Sequence, residues 1–149
     1  MRAAAPIPDC RFQPMERGDL AEVIQFWQGM EGIGLGESDS YSALAFYLRR
    51  NPGLSWAARN RNRDLIGAVL CGHDGRRGYL HHLAVARDYR RKGIGRSLVE
   101  RSLSSLRELK ILKCNVFLFF HNPDGEGFWK ALGWKGREDL ILMQRVLSF

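Results

Sequence analysis

The sequence predicts an α+β fold, a single domain whose mixed, mostly antiparallel central sheet is flanked by about four helices. Three observations carry this. Strand-type runs at 54–58, 65–71 and 79–85 are joined by short turn-rich segments, as in consecutive antiparallel strands. A helix-type run from Ile94 to Leu109, with Leu98, Val99, Leu103 and Leu106 at helical spacing, separates the third of these from an apolar run at 113–119. Strand, helix and strand in that order imply one parallel pair with a right-handed crossover. Finally, apolar residues recur at helical spacing around Leu20–Trp27 and Leu44–Leu48.

Taken in order, residues 1–9 hold two prolines and a small-residue run, and are expected to form a loose arm ahead of a domain at 10–149. Cys10–Met15 suits an edge strand, because Pro14 cannot donate to a central ladder. Asp19 is the expected N-cap of the helix through Leu20, Val23, Ile24 and Trp27. Gly29, Gly32, Gly34 and Gly36 mark the stretch to Ser40 as a loop, either a substrate lid or a plain connector. Ser40 caps a second helix, with Leu44, Phe46, Tyr47 and Leu48 inside, that ends before Asn51-Pro52-Gly53. Residues 59–64 and 73–78 connect the three antiparallel strands. The nearly continuous apolar run at 113–119 reads as a buried parallel strand. A short helix at 126–132 is stopped by Gly133, and Leu140–Val146 is the expected last strand.

A chain of 149 residues fits one domain with a substantial core, and 45% hydrophobic with 26% charged residues is ordinary for a globular protein. No apolar run approaches the ~20 residues of a membrane helix, and the N-terminus lacks the apolar core of a signal peptide, so a cytoplasmic protein with no membrane partner is expected. Cys10, Cys71 and Cys114 form no C-x-x-C, which suggests neither a disulfide framework nor a metal site. Cys71 and Cys114 lie in apolar runs and read as inert thiols; a covalent cysteine intermediate is the alternative. The net charge of +7 suits nucleic acid, an acidic protein or a polyanionic small ligand. Because Arg87, Arg90, Arg91, Lys92 and Arg96 cluster at one turn, a compact phosphate-rich ligand is favoured over nucleic acid.

That turn, Arg90-Arg91-Lys92-Gly93-Ile94-Gly95-Arg96, links a strand to the long helix. A glycine-bearing strand-to-helix turn can aim several backbone N–H groups at one point, where the helix dipole adds positive charge. Cationic side chains add charge-assisted contacts. The chain has no G-x-x-x-x-G-K-[ST], and Leu98 stands at the third Rossmann glycine position, so neither a P-loop nor a dinucleotide fingerprint is present.

The order of elements and two motifs resemble the GNAT superfamily of acyl-CoA-dependent N-acetyltransferases over nearly the whole chain. Leu83 to Gly95 is similar to the family's L-x-V-x-P-x-x-R-x-x-G-x-G, with Arg87 in place of the frequent proline and Arg90, Gly93 and Gly95 on the [QR]-x-x-G-x-[GA] positions. Asn122 with Phe128-Trp129-Lys130-Ala131-Leu132-Gly133-Trp134 resembles the downstream N…[FL]-Y-x-x-x-G-[FY]. The resemblance implies a sheet split into a V between 79–85 and 113–119, with acetyl-CoA entering the split. Leu83 and Val85 would pair with the pantetheine arm. The diphosphate would rest on the amides of Arg91, Lys92, Gly93, Ile94, Gly95 and Arg96, with the Ser97 hydroxyl adding a contact. Asn122 would hold the arm and Phe128 would line the thiol end. An N–H near Ala84 or Val85 would stabilise the oxyanion.

The implied activity is transfer of acetyl from acetyl-CoA to a primary amine (a protein N-terminus, a lysine or a small amine) by direct attack in a ternary complex. His82 is the preferred general base. His81, its neighbour on a strand, is expected to face the opposite side, and His121 is a weaker candidate. Glu31 and Glu37, in the glycine-rich loop, are candidates for holding or relaying the amine proton. Trp129 stands where the family often has a tyrosine general acid. Its indole can donate a hydrogen bond but cannot protonate a thiolate, so packing against the acyl-CoA arm is its alternative role. This departure keeps open an acyl-CoA-binding sensor without turnover, and the basic charge keeps open a nucleic-acid-binding module. The acceptor and the oligomeric state stay open, although family members often form dimers.

Overall fold

Strand-type runs become strands here wherever a neighbour completes the ladder. The computed structural model describes residues 9–148, so the predicted arm at 1–9 lies, except for Asp9, outside the described residues. Five strands pair in the order β1 (Cys10–Pro14), β2 (Trp56–Asn60), β3 (Leu65–His73), β4 (Gly78–Val85) and β5 (Cys114–Val116). All neighbours are antiparallel except β4 and β5. Four α-helices are present among the described residues: α1 (Leu20–Gln28), α2 (Tyr41–Arg50), α3 (Ile94–Glu108) and α4 (Pro123–Ala131). The chain divides after Phe117 into two compact units, of which the second holds α4.

Alternation along β3 explains how the first unit is layered. Gly67 lies against Ile94 and Leu98 of α3. Ala68 and Leu70, on the other face, join the core formed with Leu20, Val23 and Trp27 of α1 and Leu44 and Leu48 of α2. With helices on both faces, Leu65 to Gly72 is buried throughout, as its continuous apolar run requires.

The structure corrects several expectations. β5 is only three residues long, and Phe117 and Phe119 beyond it are more than half exposed. Leu140–Val146 is not a strand. A strand exists only through pairing, and this segment pairs with nothing among the described residues. Phe46 is exposed, because the buried stripe of α2 runs through Leu44 and Leu48 and a residue two positions on points away from it. Asp19 does not cap α1 with its side chain; it accepts from the Glu16 N–H at 2.8 Å and pairs with Arg59 at 2.9 Å. Ser40 does cap α2, accepting from the Ala43 N–H at 3.2 Å.

Buried polar side chains pin these layers. Asn51 donates to Tyr47 O at 3.1 Å and accepts from the His73 N–H at 3.1 Å, tying the end of α2 to the end of β3. Gly72, beside this junction, is pressed against the Tyr47 hydroxyl, and an added Cβ would also lie 2.6 Å from Tyr47 Cζ and 2.9 Å from Asn51 Cγ. Gly72→Ala is therefore expected to destabilise by ~1–3 kcal/mol through overpacking, lowering the melting temperature by ~2–4 °C per kcal/mol in a calorimetric scan. An unchanged melting temperature would contradict this packing.

Candidate active site

The site is built on β4. Only Gly78, Tyr79 and Leu80 pair with β5, so from His81 onward that edge of β4 has no partner strand among the described residues. Toward β3, the Ala86 N–H donates to Ile66 O at 2.8 Å, and Ala84 pairs with Ala68. By alternation the main-chain groups of Leu83 and Val85 face the unpaired edge, whereas those of Ala84 face β3. Ala84 consequently offers that edge no amide, a correction to its expected contact with the cofactor or oxyanion. The Val85 carbonyl is already used, since Arg90 Nε donates to it at 2.9 Å. The Leu83 N–H and C=O and the Val85 N–H are the groups left at the edge.

A β-bulge interrupts the ladder. Leu70 pairs with His81 and Ala68 with Ala84, so His82 and Leu83 both oppose Val69. His82 absorbs the extra residue with φ 55°, in the left-handed region that costs a non-glycine side chain ~1–2 kcal/mol. The bulge cancels alternation, so His81 and His82 line the same cavity. This corrects the expectation that the two histidines face opposite sides.

His82 is held in place. Its Nε2 lies 2.9 Å from Asp39 Oδ1, with only 17% and 14% of the two side chains exposed, and its ring packs 5.0 Å from that of Trp27. The other Asp39 oxygen accepts from the Gly36 N–H at 2.9 Å, fastening the end of the glycine-rich loop to β4. A carboxylate partner places the proton on Nε2 and leaves the lone pair on Nδ1.

The cavity measures about 600 Å³ and lies between α2, the turn at Asp39 and β4, with Leu44, Phe46, Tyr47 and Leu70 also in its wall. His81 stacks near Tyr79 and Phe117, at centroid distances of 6.3 and 6.2 Å. Burial, and then the neighbouring His82, hold the pKa of His81 below the ordinary imidazole value, with Asp39 opposing in part. The unfolded chain therefore binds this proton more readily. The stability that neutral His81 contributes is complete above an unfolded pKa of ~6.5 and is lost as the pH falls below it. Melting temperatures measured across this range should fall more steeply with acid for the wild type than for His81→Gln, and parallel curves would refute the assignment.

The turn after β4 is shaped as a cradle. Arg91 and Gly93 take left-handed conformations, at φ 61° and 87°, and α3 begins at Ile94. Its first helical bond runs from the Ser97 N–H to Gly93 O at 3.0 Å, and a helix start leaves the preceding amides without intrahelical partners. Arg91, Lys92 and Arg96 are exposed, whereas the side chain of Ile94 belongs to the core and only its amide is available. Arg90 departs from its expected ligand role: besides Val85 O, its guanidinium meets Met30 Sδ at 3.7 Å, linking β4 to the glycine-rich loop.

Other candidates are placed elsewhere. Glu31 is 90% exposed and 3.7 Å from Arg87, a solvated surface pair with no contact to His82, so its expected catalytic role is not supported. Burial pushes the Cys71 thiol up to about 12 and the Cys114 thiol up to about 11, which disfavours a reactive thiolate at either. In the second unit, Asn122 Oδ1 caps α4 by accepting from the Gly125 N–H at 3.1 Å. Phe128 meets the Trp129 ring edge-on at 5.2 Å, and Trp129 is 5% exposed, with Trp134 at 4.8 Å on its other contact. Aromatic neighbours thus enclose Trp129 within its unit. His121 is exposed beside Phe120. Asp39 was missed by sequence reasoning: its only local signal, Ser38-Asp39-Ser40 ahead of α2, reads as helix capping. No helix among the described residues is long and apolar enough to cross a membrane.

Comparison with known proteins bears on this open strand edge and the amide cradle that follows it. Residues 20–134 match the Acetyltransferase (GNAT) family. The chain belongs to that family. An acetyltransferase of Yersinia pestis (strain Pestoides F) is 26% identical over 132 residues, which cover 89% of this chain and 92% of the relative. Solved structures share the fold, two of them as follows. A GNAT-family acetyltransferase of Staphylococcus aureus Mu50 superposes with a TM-score of 0.74 at 18% identity, covering 89% of each chain. The PaiA N-acetyltransferase of Thermoplasma acidophilum, in complex with coenzyme A, superposes with a TM-score of 0.74 at 20% identity, covering 87% of this chain and 92% of its own.

Proposed function

We propose that the chain transfers an acetyl group from acetyl-CoA to a primary amine in a ternary complex. The observation that carries this reading is that one strand, β4, presents an unpaired edge, a clamped histidine and, directly after it, the amide cradle. The residues present fit the donor. A diphosphate matches the amides from Arg91 to Arg96 and the side chains of Arg91, Lys92 and Arg96. A peptide-like arm matches the Leu83 C=O and the Val85 N–H. That a relative of this fold is described with coenzyme A supports the choice of donor. For Asn122 and Phe128, and for 10–149 acting as one domain, the support is the family likeness alone. The proposal keeps the cytoplasm as its setting.

The thioester supplies an activated acyl carbon. The amine enters the cavity and its nitrogen attacks that carbon, forming the C–N bond as the C–S bond breaks. The amine proton passes to His82 Nδ1 while Asp39 steadies the imidazolium through Nε2. The Leu83 N–H, next in sequence to His82, is assigned to the oxyanion, a contact worth ~3 kcal/mol. The thiolate leaves toward water, where a thiol pKa near ~8.5 makes a protein acid dispensable.

Calorimetric titration with acetyl-CoA, followed by a free-thiol assay over peptides with free N-termini, lysine and small amines, tests the proposal. Binding with amine-dependent thiol release supports it. Binding without release from any amine would assign an acyl-CoA sensor, and no binding would overturn the donor.

A further inference from the structure

We infer that the acceptor taken by this cavity is a primary amine on a small apolar body with no second cationic centre. The inference deepens the acetyl-transfer reading and rests on it. Leu44, Leu70, Tyr47 and the exposed Phe46 give the cavity a mostly apolar wall, to which Ser38 and Ser42 also belong, and its volume of about 600 Å³ suits a small molecule.

The charges decide what kind of amine fits. Among the described residues, Asp39 is the only carboxylate in the cavity wall, and both its oxygens are engaged, one with His82 Nε2 at 2.9 Å and one with the Gly36 N–H at 2.9 Å. A monoamine that loses its proton becomes neutral, and desolvation by apolar walls favours that form. A polyamine would keep further ammonium groups for which the wall has no free carboxylate, and an unpaired charge in such a place is costly. Phe46, 57% exposed, carries the Arg49 guanidinium 5.4 Å from its ring centroid, placing a cation beside the cavity. The net charge of +7 adds a field that repels polycations and tolerates neutral or anionic bodies.

The test compares matched acceptors at saturating acetyl-CoA: phenethylamine and hexylamine against 1,6-diaminohexane and spermidine. The kcat/KM of the two monoamines should exceed that of the two polycations by about tenfold or more. Phe46→Ser should raise the KM of phenethylamine by about tenfold with the acetyl-CoA Kd unchanged. Arg49→Glu should narrow the gap for diaminohexane. NMR shifts of cavity residues during amine titration report binding directly, so the acceptor class can be decided without turnover. Preference for the polycations in either assay, or phenethylamine kinetics indifferent to Phe46→Ser, would overturn the acceptor class while leaving the donor site standing. Failure of acetyl-CoA to bind in calorimetry would strike at the acetyl-transfer reading instead, and the amine shifts would still decide the acceptor class.

Discussion

His82→Gln should lower kcat/KM for acetyl transfer by ~10²–10⁴ while leaving acetyl-CoA affinity and the melting temperature nearly unchanged. Glutamine keeps an N–H donor toward Asp39 and much of the ring's volume, but it has no basic nitrogen. The loss should therefore fall on proton transfer. Added imidazole should restore part of the rate, since the missing function is a base of suitable pKa in a cavity of about 600 Å³. Asp39→Asn should show a smaller loss in the same parameter. An amide can still accept from His82 Nε2 but gives the imidazolium no opposite charge. It also weakens the 2.9 Å contact that holds Gly36, so part of its loss should appear in the acceptor KM. Wild-type rates in His82→Gln would remove His82 from the chemistry and leave His81, on the same cavity wall, as the base to test.

Gly93→Val should weaken acetyl-CoA binding by ~10-fold or more in calorimetry, because a β-branched side chain at φ 87° is strained and the chain will shift to relieve it. The shift would turn the amides from Arg91 to Arg96 away from a common point. Gly93→Asn is the control: asparagine visits the left-handed region readily and should keep most of the affinity. The contrast separates the backbone argument from simple bulk. Equal affinity in both variants would mean that the turn's conformation does not matter for the donor.

The cradle was legible because it is local. Gly93, Gly95 and the basic residues around them lie within seven positions, preceded by an apolar strand-type run and followed by a helix with a clear apolar period. The order of elements was legible for the same reason. What escaped depends on contacts distant in sequence. Asp39 meets His82 across 43 positions, and nothing near either residue announces the other. The bulge had no mark either: His82 takes a left-handed conformation that glycine would have signalled, and strict alternation then sent His81 to the wrong face. Arg90 occupied a motif position expected to face ligand, yet its geometry satisfies Val85 and Met30. The apolar runs at 117–119 and 140–146 have strand composition without strand partners, a reminder that β-structure is decided by pairing more than by propensity.

The central claim is that one continuous surface, from the free groups of Leu83 and Val85 to the amides ahead of Ser97, receives acetyl-CoA. Backbone amide NMR during titration with coenzyme A tests it residue by residue. The largest shifts should fall on Leu83, Val85 and Arg91 to Arg96, with Ala84 moving less because its N–H is turned to β3. Saturable binding that leaves those amides unmoved would contradict the account.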